Sequence, residues 1–168
     1  MNKPHKPGVI NAPNTVKHSY TQTIRGIPEQ IFPLLCPVRE RDWVAGWTTD
    51  WVISKSGVAE QDCIFQTPPN TTAHKSMAAP SIWIISQYNP ESLEIEMIKV
   101  TPEHTVGKLQ ISLTRKDATF TCVNISYRYT SLSLEGDQFL KTFTESAYLE
   151  SMLGWESAMN DYLSKETT

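Results

Sequence analysis

The sequence has little of what announces most functions. Its three cysteines, Cys36, Cys63 and Cys122, are odd in number and form no CxxC pair. That leaves no spacing for a structural zinc site, and buried free thiols are the simpler reading. Four histidines are scattered along the chain, so no metal centre is expected. The seven glycines build no phosphate loop. GxGxxG, the P-loop pattern, HExxH and GxSxG are all absent, which disfavours Rossmann enzymes, nucleotide kinases, zincins and α/β-hydrolases. No cofactor is expected. Positive charge is scarce too. The formal net charge is -3, and the only basic bias is Lys3, Lys6 and Lys17 with His5 and His18. Without a basic stripe, nucleic acid is an improbable partner. No apolar run approaches the roughly 20 residues that span a bilayer. The opening MNKPHKPGVINAP carries prolines where a signal peptide needs an apolar stretch, so the expected location is cytoplasmic.

What is present suits one globular domain: 168 residues, 39% hydrophobic and 20% charged. Residues 1–16 are rich in Pro, Asn and Lys and read as a flexible leader, with the domain at 17–165. Val16 to Ile24 alternates like a first strand. Pro28, Glu29, Ile31, Leu34 and Leu35 then suit a short helix that Pro33 keeps irregular. Residues 36–47, dense in charge and tryptophan, read as a second short helix or ordered turn. Two strands follow, at 48–54 and 62–67, and then a long loop at 68–80 whose role the pattern does not give.

Four further strands come in quick succession, at 81–88, 93–100, 106–115 and 118–130. Leu109, Ile111 and Leu113 alternate with polar neighbours, as do Val123, Ile125, Tyr127 and Tyr129. This is an antiparallel sheet with one wet face and one covered face. The cover is the C-terminal segment. Ser133 is its N-cap, and Phe139, Phe143, Tyr148, Met152, Trp155, Met159 and Leu163 form an apolar stripe. The spacing predicts one helix of roughly 30 residues, about 45 Å long. The fold class is therefore α+β, with a curved antiparallel sheet of about seven strands around a long helix and two short helices after the first strand.

That element order resembles the helix-grip fold of the START-like and polyketide cyclase/dehydrase (SRPBCC) superfamily. The run Cys36-Pro37-Val38-Arg39-Glu40-x-Asp42-Trp43-x-x-Gly46-Trp47 is similar to a CPVRExDWxxGW block of an uncharacterised bacterial branch. Arg41 and Val44-Ala45 depart from the block. Ser56 to Glu60 with Phe65-x-Thr67, and Ser133 to Gly136, resemble two further blocks. The resemblance implies a cavity between the sheet and the long helix, where relatives hold lipids, hormones or polyketides and some act on them. The expected partner is a small apolar molecule.

Candidate residues follow. The ligand-binding set is Trp43, Trp47, Phe65, Trp83, Met97, Ile111, Tyr127, Tyr129, Phe143, Met152 and Trp155. Arg39, Glu40 and His74 are the candidates for acid–base work. A carboxylate beside indole rings suits proton transfer, but an internal ion pair of Arg39, Glu40 and Asp42 that pins the short helices is the favoured reading. Three functions stay open: a hydrophobic-ligand binder, a cyclase- or dehydratase-type enzyme, and a protein-interaction module. The third would use exposed aromatics such as Trp51 or Trp83 and leaves a homodimer open.

Overall fold

A computed structural model describes residues 14–69 and 79–166. Its element order is β1 (Thr15–Arg25), α1 (Pro28–Ile31), β2 (Trp51–Ile53), β3 (Ile64–Thr67), β4 (Ser81–Asn89), β5 (Glu94–Thr101), β6 (Thr105–Arg115), β7 (Phe120–Ser131), α2 (Leu134–Thr142) and α3 (Glu145–Glu166). The seven strands form one antiparallel sheet in the order β1-β7-β6-β5-β4-β3-β2. Every hairpin from β2 to β7 pairs neighbours in sequence, and only β1 crosses to the far side to join β7. The helix-grip expectation is met, short helices included. Strand β1 begins at Thr15, inside the stretch read as leader.

Between α1 and β2 lie two 3-10 turns, Phe32–Leu35 and Glu40–Asp42. Pro33 sits at the start of the first, where its missing N–H costs nothing. Two tryptophans tie this region down through their indole N–H groups. Trp43 donates to the Leu34 carbonyl at 2.9 Å, and Trp47 to the Pro37 carbonyl at 2.7 Å.

The C-terminal segment corrects the sequence expectation. It is two helices, broken at Phe143, which leaves the helical region with ψ 60. Ser133 caps α2 as expected, its Oγ accepting from the Gly136 N–H at 3.1 Å. Thr144 then caps α3 from its own hydroxyl, accepting from the Ala147 N–H at 3.2 Å. A hydroxyl that offers the backbone an alternative partner, followed by an acidic first turn, starts a new helix instead of extending the old one. The break lets Phe139 and Phe143 both pack edge-on against Tyr129, at 5.2 and 5.1 Å between ring centroids. Gly136 permits the close approach of α2: a Cβ there would lie 2.1 Å from the His104 carbonyl oxygen.

Helix α3 lies along β1 and satisfies the free edge of that strand with side chains. Glu156 accepts from the Thr23 N–H at 3.2 Å, and Asn160 accepts from the Arg25 N–H at 2.8 Å. Gln22, buried, donates to the Met152 carbonyl at 2.8 Å. The buried stripe of α3 is Tyr148, Met152, Trp155 and Met159, and Leu149 and Leu153 face out. No helix among the described residues is long and apolar enough to cross a membrane.

Candidate functional site

The concave face of the sheet is built from alternate residues. Cross-strand register sets them in rows. One row runs Ile95, Ile111, Ile125. The next runs Ile85, Met97, Leu109, Tyr127, and the one beyond it Phe65, Trp83, Lys99, Gly107, Tyr129. Farther along the same strands come Thr67 with Ser81, and Thr101 with Thr105 and Ser131. These polar residues are buried as deeply as the isoleucines.

All eleven residues named for ligand binding fall in the one buried cluster. Phe65 and Trp83 stack at 5.5 Å, Tyr127 and Tyr129 at 5.8 Å, and Trp43 meets Trp155 edge-on at 5.4 Å. Of the two tryptophans named for an exposed patch, Trp51 is 39% exposed on the outer face, whereas Trp83 is 1% exposed and faces inward. His74 lies outside the described residues.

The charged block separates. Arg39 stays at the surface, 3.4 Å from Asp42 and 3.4 Å from the Tyr162 hydroxyl. It helps line an outer groove of about 670 Å³ with Arg25, Ile27, Pro33, Leu34 and Tyr162. Glu40 turns inward and is 3% exposed. Its Oε2 has no hydrogen-bond partner among the described residues. Among the described residues no ion pair relieves it, and burial pushes its carboxyl up to about 8. The ion pair of this block is therefore Arg39 with Asp42, without Glu40. Glu40 lies close enough to Tyr127 for its charge to raise that phenol further, after burial and Tyr129.

Lys99 is the residue that the sequence reading passed over. It shares the inward parity of Ile95 and Met97 on β5 and is 2% exposed. Its Nζ stands 5.0 Å from the Trp83 ring centroid and 5.9 Å from that of Tyr129. Burial lowers its pKa to about 7. The signal was available: a lysine two residues beyond a buried Met on the same strand face is out of place in a core. Gly107, across from it on β6, leaves space that the Tyr129 ring fills, and a Cβ there would lie 2.6 Å from Tyr129 Cε1. His104, in the turn before β6, is lowered by burial and then by the Lys99 charge.

Glu60 accepts from the backbone N–H groups of Lys55 and Ser56 and closes its own loop. Cys36 and Cys63 are buried free thiols and Cys122 is half-buried. Among the described residues, no three His, Cys, Asp or Glu side chains converge as a metal site would require.

No family model and no curated protein matches the chain by sequence. Solved structures do match by shape. Norcoclaurine synthase from Thalictrum flavum superposes with a TM-score of 0.66 at 12% identity, over 97% of this chain and 95% of that one. Major latex-like protein 151 from Panax ginseng gives 0.59 at 12% identity, over 88% and 97%. A Thermus thermophilus protein gives 0.59 at 8% identity, over 91% and 100%. At such identities the likeness establishes the helix-grip fold and nothing finer.

Proposed function

We propose that the chain binds a small hydrophobic molecule between the concave sheet face and helix α3, with Glu40 as the polar group that orients it. The observation that carries this reading is the Glu40 carboxyl, buried with one oxygen unpartnered among the described residues. Buried polar atoms are almost always paired, and an unpaired one is a place where a ligand group completes the network. With its pKa near 8, Glu40 is mostly protonated at neutral pH and can donate to a ligand carbonyl or hydroxyl. The stacked aromatics Phe65 and Trp83, and Tyr127 and Tyr129, offer flat apolar walls. Among the structural neighbours, a norcoclaurine synthase is known in complex with dopamine and hydroxybenzaldehyde, which supports a small aromatic guest here.

The test is native mass spectrometry of gently purified protein, followed by a fluorescence screen against an apolar library. One guest per chain is expected. Glu40→Leu, which removes the donor, should weaken a guest bearing a hydrogen-bond acceptor by about tenfold, or 1.4 kcal/mol. An empty protein that binds nothing in the library overturns the reading.

One pair of observations favours acid–base catalysis as the second reading. Glu40 near 8 and Lys99 near 7 are an acid and a base both poised around neutrality. Turnover of a bound guest that is lost in Glu40→Gln while affinity persists would select the enzyme over the carrier.

A further inference from the structure

We propose that Lys99 is a covalent attachment point, its amine condensing with the carbonyl of a hydrophobic aldehyde or ketone to hold that guest as an imine. This rests on the interior-ligand reading above, and it names the ligand class. The geometry is the argument. Lys99 projects from the middle of β5 onto the concave face, between Trp83 of β4 and Gly107 of β6 in register. Two ring faces flank its Nζ, those of Trp83 and Tyr129. A conjugated or aromatic carbonyl compound attached there would lie between rings that stack on it, and a protonated imine would keep the cation–π contacts the ammonium has now.

Chemistry agrees with the placement. A lysine must be neutral to attack carbon, and desolvation in an apolar site is the usual way to make it so. Lys99 near 7 is about half neutral at pH 7, whereas an ordinary exposed lysine is neutral in only about one part in a few thousand. The amine nitrogen adds to the carbonyl carbon to give a carbinolamine. The carbonyl oxygen then takes a proton and leaves as water while the nitrogen gives up its remaining proton. Amine plus carbonyl becomes imine plus water, with no oxidant and no reductant. The titratable groups near this amine are Tyr129 on β7 and His104 in the turn after β5, and the phenol pKa is raised by burial.

The experiment uses the full chain, cuminaldehyde as probe and cyanoborohydride to reduce the imine, with intact mass and peptide mapping. A single adduct on Lys99 is expected, ahead of the exposed Lys55, Lys116 and Lys141. Its rate relative to theirs should be highest at and below neutrality and should fall as pH rises toward the ordinary lysine range. Lys99 labelling should rise roughly tenfold from about pH 6 to about pH 8 and then level off, while the exposed lysines keep climbing. Lys99→Met should abolish the adduct. Should that variant not fold, protection of the wild type serves instead. Cuminyl alcohol cannot form an imine, and it should shield Lys99 but not Lys55. If the alcohol binds, by tryptophan fluorescence, yet label spreads evenly over all four lysines, the attachment proposal is overturned and the interior-binding reading stands. If neither compound binds, both fall.

Discussion

The same strands carry two chemistries along their length. At one end of the concave face, Ile95, Ile111, Leu113, Val123 and Ile125 are all apolar and at most 3% exposed, with buried Gln22 and Thr121 beside Val123 as the polar exceptions. At the other end, Thr67, Ser81, Lys99, Thr101 and Thr105 are just as buried, Ser131 is nearly so, and all are polar. Burial alone therefore does not distinguish them. The apolar end gains from every area removed from water. The polar end gives up that gain and must pair its groups, a poor choice for stability and a usual one for a site. The molecule sets a largely apolar half against a more polar one on one continuous sheet.

The largest expected effect is a pH dependence carried by the two buried ionisable groups, Lys99 of the polar end and Glu40 of the turn before β2. Glu40 is raised from 4.5 to about 8, so the folded chain holds its proton more tightly than the unfolded one. Its contribution is fully present below 4.5 and is lost as pH rises toward 8, on the order of 5 kcal/mol across the window. Lys99 is lowered from 10.5 to about 7, so folding disfavours its protonated form. That penalty is present below 7 and fades as pH rises toward 10.5, by a similar amount. The two slopes oppose each other and place a trough of stability near pH 7 to 8. Urea midpoints read from acid to alkaline pH should show it. Glu40→Gln should remove the falling limb and Lys99→Met the rising one. A falling limb unchanged in Glu40→Gln, or a rising limb unchanged in Lys99→Met, would mean that these two groups do not carry the pH dependence.

The apolar half should answer differently. Ile125 is 0% exposed at the centre of β7. Ile125→Ala should cost about 3 kcal/mol through lost transfer energy and an unfilled cavity. The loss should be the same at every pH, and affinity for a guest should be unchanged wherever the variant is folded. A pH-dependent loss would mean that the two halves are not separable.

How much of this was legible beforehand differs between the halves for a physical reason. Strand alternation marks a face, so Val123, Ile125, Tyr127 and Tyr129 were assigned to one side from sequence, and they lie there. The sheet and its short helices followed from the same pattern. Lys99 was missed because a charged residue is presumed to point outward, although its parity with Ile95 and Met97 said otherwise. The helix break was missed too, although the five-residue step from Phe143 to Tyr148 marked where helical spacing fails. Glu40 was named among the candidates, but its separation from Arg39 and Asp42 depends on a turn geometry that no periodicity encodes.

At the middle of the polar half, Gly107→Ala tests how tightly the rings around Lys99 are set. The new Cβ would meet Tyr129 Cε1 at 2.6 Å and Cδ1 at 2.9 Å, so the ring must move. Such overpacking should cost about 2 kcal/mol, less than the Ile125 cavity because the ring can swing toward Phe139 and Phe143. Imine formation at Lys99 should fall more than stability does. Equal losses would mean that Tyr129 only fills space.

The smallest change is Thr67→Val, and it isolates one hydrogen bond. The Trp83 indole N–H donates to Thr67 Oγ1 at 3.1 Å in a buried setting. Valine keeps the shape and removes the acceptor, which leaves an indole N–H buried without one. The cost should be about 1 kcal/mol, toward the lower end for an unsatisfied buried donor, since the side-chain volume is conserved. The informative readout is local. Trp83 is stacked on Phe65 and stands under the Lys99 amine, so tilting it should change tryptophan emission and slow labelling of Lys99. Thr67→Ser restores the hydroxyl and should restore both. If Thr67→Val matches Thr67→Ser in emission and labelling, the bond does not position the ring. The polar lining of that half would then be there for solvation alone, and the division of labour along the sheet would be weaker than the burial pattern suggests.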